Sequence, residues 1–160
     1  MNRISKENYY LDIAQTVLER ATCLRRVYGA IIVKNDEIIS TGYNGAPRGR
    51  QNCSEVGFCT RDYLSIPSGE RYELCRSVHA EANAIISAAR RDMLGGTLYL
   101  VGRDAKTGEL LRDTMPCSMC KRLIINAGIT QVVVRTGSES HKVIHVRDWV
   151  FNDDSLPTGI

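Results

Sequence analysis

Long apolar runs, basic blocks, internal repeats and low-complexity tracts are all missing from this 160-residue chain. No stretch approaches the length needed to span a bilayer, so a membrane-embedded role is not expected. Near the N-terminus, Lys6, Glu7 and Asp12 interrupt the apolar positions, which removes the continuous apolar centre that a secretory signal requires. A soluble, cytoplasmic protein is the expectation. Charge of one sign is also scarce: 21 Lys and Arg stand against 18 Asp and Glu, a formal net charge of +3. With no basic stripe to track a phosphate backbone, stable binding of nucleic acid is not expected, whereas a small anionic ligand fits this balance. The remaining composition, 43% hydrophobic and 24% charged, suits one domain spanning 1–160 with a core able to enclose a metal site.

Six cysteines need a reason. In a reducing compartment a disulfide framework is not expected, and metal ligation is the first reading. Cys23, Cys53, Cys59, Cys75, Cys117 and Cys120 are spread over most of the chain, so any site they form is assembled by folding and not by a local knuckle.

Tyr10, Ile13, Ala14, Val17 and Leu18 recur at helical spacing and predict an amphipathic first helix that ends near Cys23. Two β-branched runs, Ala30 to Val33 and Glu37 to Ser40, flank Lys34-Asn35-Asp36 and predict a hairpin. Gly42 to Pro47 then reads as an ordered loop leaving the sheet. From Arg48 to Arg76 there is no periodicity, a length that is uncommon in a compact domain unless a metal pins it. A small-residue face over His79 to Arg91 predicts a second helix, Thr97 to Val101 a buried strand, and Leu123, Ile124 and Ala127 a third helix stopping at Gly128. Gln131 to Arg135 is another strand, and Ile144, Val146 and Trp149 alternate with polar residues as an added edge strand would. Helices alternating with strands predict an α/β layered domain.

Two short segments carry the chemistry, His79-Ala80-Glu81 and Pro116-Cys117-Ser118-Met119-Cys120. A Cys-x-x-Cys pair at a helix start presents two sulfurs on one side of a turn, where the helix dipole favours thiolate, and Pro116 suits the entry. A histidine from a neighbouring helix completes a set of three ligands and leaves the fourth tetrahedral position for water, the arrangement of a catalytic zinc. Glu81, two residues after the histidine, is placed to reach that water without ligating the metal, and so to move protons. Taken alone, the cysteine pair also fits a redox couple or half of a structural zinc site, and a lone histidine at a helix start is more often structural. A structural zinc site, however, has no use for Glu81.

These motifs, together with Thr22-Cys23-Leu24-Arg25-Arg26, Gly29-Ala30, Gly42-Tyr43-Asn44-Gly45-Ala46-Pro47, His79 to Ile85 and Pro116 to Ile129, make the sequence similar to the deoxycytidylate deaminase family of the cytidine deaminase-like superfamily. The resemblance implies a three-layer α/β fold, with a mixed sheet of about five strands between helices on both faces. It implies hydrolysis of dCMP to dUMP and ammonia, with catalytic zinc on His79, Cys117 and Cys120 and Glu81 as the proton carrier. It further implies that Asn44 bonds the sugar hydroxyl, that Arg25 lies near the 5′-phosphate, and that assembly is homo-oligomeric, commonly hexameric, with dCTP and dTTP as effectors. Some relatives carry a second, structural zinc at positions matching Cys23 and Cys53, and here Cys59 and Cys75 are available to complete four sulfurs. Against these roles, Asn44 also reads as an ordinary turn residue, Arg25 as a solvated charge, and the four cysteines as separate small apolar residues.

Two departures stand out. Gly102 to Met115 is longer than the family's usual crossing, and its Lys106-Thr107-Gly108 turn signal predicts a hairpin. After Val134, where relatives often supply a phosphate-binding tyrosine, the chain has Arg135, with His141 nearby as the other substitute. Two other functions stay open at this level. One is the same chemistry on another cytosine nucleotide, a nucleoside or a transfer-RNA adenosine. The other is a non-enzymatic, zinc-stabilised nucleotide-binding module, from which a required Glu81 distinguishes the enzyme.

Overall fold

A β-hairpin is the geometric reference of the molecule. In the computed structural model, which describes residues 2–152, β1 (Arg26–Lys34) and β2 (Glu37–Tyr43) pair antiparallel through the two residues Asn35 and Asp36. Both turn residues are left-handed, with φ of 52° and 61°, the conformation whose twist matches that of the flanking strands. β2 continues through Gly42 and Tyr43, so the expected loop begins only at Asn44. The last residues of the expected 1–160 span, 153–160, lie outside the described residues, as does Met1.

Ahead of the hairpin, α1 (Lys6–Val17) is capped by Ser5, whose hydroxyl accepts the Asn8 N–H at 3.2 Å. It tightens into a 3-10 turn over Leu18–Arg20 and ends before Cys23, which therefore sits in an irregular connection. The stretch expected to be irregular holds three single turns: α2 (Cys53–Val56), α3 (Thr60–Tyr63) and a 3-10 turn over Tyr72–Leu74. The predicted second helix is split into α4 (Ala80–Ile86) and α5 (Arg90–Met93), because Ala89 is extended and its chain direction breaks the ladder. β3 (Thr97–Asp104) follows, then α6 (Ser118–Ala127), stopped by Gly128 at φ 79° as expected, and β4 (Gln131–Arg135). The predicted edge strand is displaced: β5 spans His141–His145, and Val146 and Trp149 belong to α7 (Val146–Phe151). Three residues apart on a helix, those two side chains reach the same core that an alternating strand would have split between faces.

The sheet order is β2-β1-β3-β4-β5, antiparallel except for β3 and β4, which run parallel with α6 as the crossover. Because helices cover both faces, β1 buries successive residues in opposite directions. Ile31 and Val33 meet Leu11, Ala14 and Leu18 beside α1, while Ala30 and Ile32 meet Ala80, Ala84 and Ile124 from α4 and α6. Two glycines set the layer spacing. A methyl added at Gly29 would fall 2.0 Å from the Ala14 carbonyl oxygen, and one at Gly42 would fall 2.3 Å from that of Ala80. Each helix thus lies against its strand at a distance only glycine permits. Among the described residues no helix is long and apolar enough to cross a membrane.

Candidate active site

α4 and α6 start side by side on the same face of the sheet, and both begin on a ligand-type residue. His79 is the N-cap of α4 and Cys117 the N-cap of α6, each with extended backbone, and Cys120 lies one turn into α6. The imidazole Nδ1 stands 3.5 Å from Cys117 Sγ and 3.4 Å from Cys120 Sγ. All three donor atoms lie within 4.8 Å of one another, and among the described residues no other His, Cys, Asp or Glu group of three or more does so. A tetrahedral ion with ordinary Zn–N and Zn–S bonds separates its donors by roughly 3.6–3.8 Å, close to these spacings, so the set fits zinc.

Hydrogen bonds to Cys117 and then Cys75 hold the His79 imidazole up at about 10, against its burial. Cys117 is pulled down to about 4, first by the hydrogen bond from Cys120 and also by His79. In the metal-free cluster an imidazolium thus stands beside a thiolate, and a metal that binds both releases the imidazole proton. Glu81, two residues after His79 and only 5% exposed, has its pKa raised by burial. Cys75 also neighbours the imidazole, and its own thiol is lowered chiefly by His79.

His79, Cys75, Glu81 and Cys117 open onto one cavity, which Asn44, Arg25 and Cys23 also line. Asn44 is buried; its Oδ1 accepts the Tyr28 N–H at 2.8 Å and its Nδ2 donates to the Arg26 carbonyl at 2.9 Å. The amide thus ties the loop after β2 to the start of β1 and retains one N–H and one lone pair for a ligand. The same loop is pinned by reciprocal backbone bonds between Gly45 and Val78, the residue before His79. Arg25 is ion-paired with Asp62 at 3.3 Å. The long segment after β3 folds back, Leu110 pairing with Arg103, and carries Met115 to the cavity wall.

Of the four cysteines expected to form a second site, Cys53 opens α2 and is buried, Cys59 caps α3, and Cys23 and Cys75 reach the cavity. The Cys53 thiol is raised by burial and then by Cys23, Cys75 and Cys59, so the four share a neighbourhood. Their sulfurs are not, however, gathered within the 4.8 Å that unites the His79 group. Arg135 is not at the cavity. It is 2% exposed and bonds Asn8, Asp12 and Gln15 of α1, across the sheet from α4. His141 is exposed on β5 and does not line the cavity either. Neither replaces the missing tyrosine. Tyr28, Arg61, Tyr72 and Ser77, which the sequence reading did not single out, do line it. The alternation of β1 offered a signal for Tyr28; the aperiodic segment offered none for the rest.

The "Cytidine and deoxycytidylate deaminase zinc-binding region" family matches residues 4–136. A deoxycytidylate deaminase of Mycobacterium phage D29 is 38% identical, the alignment covering 83% of this chain and 96% of that protein. One from Schizosaccharomyces pombe is 36% identical over 84% of this chain, which spans only 38% of that relative's length. The cyanophage S-TIM5 dCMP deaminase, solved with dCMP and dUMP, superposes with a TM-score of 0.56 at 26% identity, covering 83% of this chain and 84% of that one. A cytidine deaminase from Burkholderia pseudomallei shares the fold, with a TM-score of 0.57 at 17% identity, covering 95% of this chain and 100% of that one. The paired helix starts with their zinc-fitting donors, the three-layer sheet and the matched residues agree, and the chain belongs to the cytidine and deoxycytidylate deaminase zinc-binding family.

Proposed function

We propose that this chain hydrolyses dCMP to dUMP and ammonia, supplying dUMP for thymidylate synthesis. The observation that carries the reading is the grouping of His79, Cys117 and Cys120 at the end of a cavity that His79, Cys117 and a buried Glu81 line. It is supported by the phage D29 relative, of which this chain covers 96%. Zinc held by the three ligands supplies a Lewis acid and a water acidic enough to react near neutral pH. Glu81 accepts a proton from the attacking water and delivers it to N3 of the base as the water oxygen bonds C4, then takes the proton left on that oxygen and passes it to the amine as the C4–N bond breaks and the C4 carbonyl forms. The atoms balance as dCMP plus water giving dUMP plus ammonia. Burial suits Glu81 to this, because raising its pKa makes the carboxylate a stronger proton acceptor. Asn44, with one N–H and one lone pair unused, meets the sugar hydroxyl, and Arg25 stands on the phosphate side.

A second zinc on Cys23, Cys53, Cys59 and Cys75 belongs to this reading, supported by the shared neighbourhood of Cys53. Closing it on an ion requires the side chains to turn toward one another. Effector nucleotides such as dCTP and dTTP have a cavity suited to a polyphosphate, lined by Arg20, Arg48 and Arg50 beside the Gly42 to Pro47 loop. Assembly as a homo-oligomer, a hexamer by resemblance, is tested by light scattering with and without these nucleotides.

The test is ammonia release from purified zinc-loaded protein given dCMP, CMP, deoxycytidine and dCTP. Release fastest from dCMP, with dUMP as product, is the expected result. Release from none of them, at full zinc occupancy, contradicts the proposal.

A further inference from the structure

Arg61 is a buried charge that the chemistry above leaves unused. It lies on α3 and is 6% exposed, yet it lines the same cavity as His79 and Glu81. Its Nε donates to the Glu70 carbonyl at 3.0 Å, one Nη donates to the Pro67 carbonyl at 3.2 Å, and the guanidinium sits 4.4 Å from the centre of the Tyr72 ring. Two carbonyls and a ring face orient a cation without neutralising it. Among the described residues no carboxylate forms an ion pair with Arg61.

A guanidinium withdrawn from water without a counter-ion is costly, unless the missing anion arrives with a ligand. The unused N–H donors of its second Nη and of the fork suit an oxyanion with two or three oxygens. Tyr72 connects the two ends of the cavity, because its ring also meets the His79 imidazole edge-on at 4.9 Å. Arg61 therefore stands two ring contacts from the metal ligand, where a nucleotide with its base at the metal carries its phosphate beyond the sugar. The other arginines of the cavity are differently engaged. Arg25 is matched by Asp62 at 3.3 Å, and Arg26 is exposed and hydrogen-bonded to Tyr28.

We propose that Arg61 receives the 5′-phosphate of the substrate and sets the preference for a nucleotide over a nucleoside. This rests on the reading of dCMP as substrate. It also names the group that stands where the family's tyrosine is missing, and relegates Arg25 to a supporting position held by Asp62.

The test compares wild type with Arg61→Met and Arg61→Lys, each zinc-loaded, on dCMP and on deoxycytidine, which lacks only the phosphate. The ratio of kcat/KM for dCMP to that for deoxycytidine is expected to fall on the order of 10- to 100-fold in Arg61→Met, mainly through KM, with Arg61→Lys in between. An unchanged ratio overturns the proposal, including the case in which both substrates lose equally because Arg61 merely staples the loop at Pro67 and Glu70. Should both variants fail to fold or to hold zinc, a crystal structure of the wild-type protein with dUMP decides: phosphate within hydrogen-bonding distance of an Arg61 Nη supports the proposal, and phosphate elsewhere overturns it. A wild type that turns over deoxycytidine but not dCMP removes the substrate reading and this inference with it. That outcome is distinct from a wild type active on dCMP whose Arg61→Met variant keeps the same ratio.

Discussion

Single side chains in this molecule do work that their sequence neighbours do not announce. Asn44 stands in a glycine-rich loop, where a turn role and a ligand role look alike in sequence, and the structure gives it a backbone role that neither reading contained. Its amide satisfies both the Tyr28 N–H and the Arg26 carbonyl. Asn44→Ala leaves both without that partner and is expected to destabilise the fold by about 1–3 kcal/mol, read by denaturant unfolding. Unfolding equal to wild type would mean that other partners or water take over. Tyr10 offers a second test. Its phenol donates to Asp36, and that bond, with burial adding to it, raises its pKa to about 12. Because the folded value is raised, the stabilisation is complete below the ordinary phenol range near 10 and fades as pH rises through about 12. A spectrophotometric titration of wild type minus Tyr10→Phe should therefore show one phenol ionising near 12. A midpoint at the ordinary value would show that the bond to Asp36 does not persist in solution.

At the level of elements, the catalytic geometry depends on how closely α4 approaches the hairpin. His79 and Glu81 ride on the first turn of α4, whose backbone lies against Gly42. Gly42→Ala would put a methyl 2.3 Å from the Ala80 carbonyl and 2.4 Å from the Ala84 N, both backbone atoms that cannot swing away. The helix must shift, and the expected cost is about 1–3 kcal/mol of stability, with turnover falling more than stability alone explains. Wild-type turnover in a folded Gly42→Ala protein would show that the spacing is slack. The helices and strands with clear periods were legible: α1, the hairpin, the body of α6 and β4 lie where their patterns put them. Misplaced boundaries share a physical cause. Ala88 and Ala89 are good helix formers, and only tertiary context extends Ala89 and breaks the predicted helix into α4 and α5. Val146 and Trp149 satisfy both a strand and a helix period over so short a span, and packing decides for the helix.

For the whole molecule, the grouping of His79, Cys117 and Cys120 with Glu81 close by was readable because their spacing is a chemical requirement, independent of fold detail. Arg61 and Tyr72 were not readable, since the segment that carries them has no period and gains its shape from carbonyl bonds, ring contacts and neighbouring sulfurs. That segment carries Arg61 and Tyr72 to the same cavity that His79 lines. Its order is expected to depend on metal. Zinc analysis of loaded protein should give two ions per chain if Cys23, Cys53, Cys59 and Cys75 close on one, and chelation should then expose the 48–76 stretch to protease first. One ion per chain would remove the four-cysteine site while leaving the His79 site intact. The central claim, that a buried carboxylate shuttles protons beside a metal it does not bind, has a direct measurement: zinc content and dCMP turnover of Glu81→Gln beside wild type. The account predicts equal zinc and a turnover lower by roughly a hundredfold to ten-thousandfold or more. Equal zinc with undiminished turnover would contradict it.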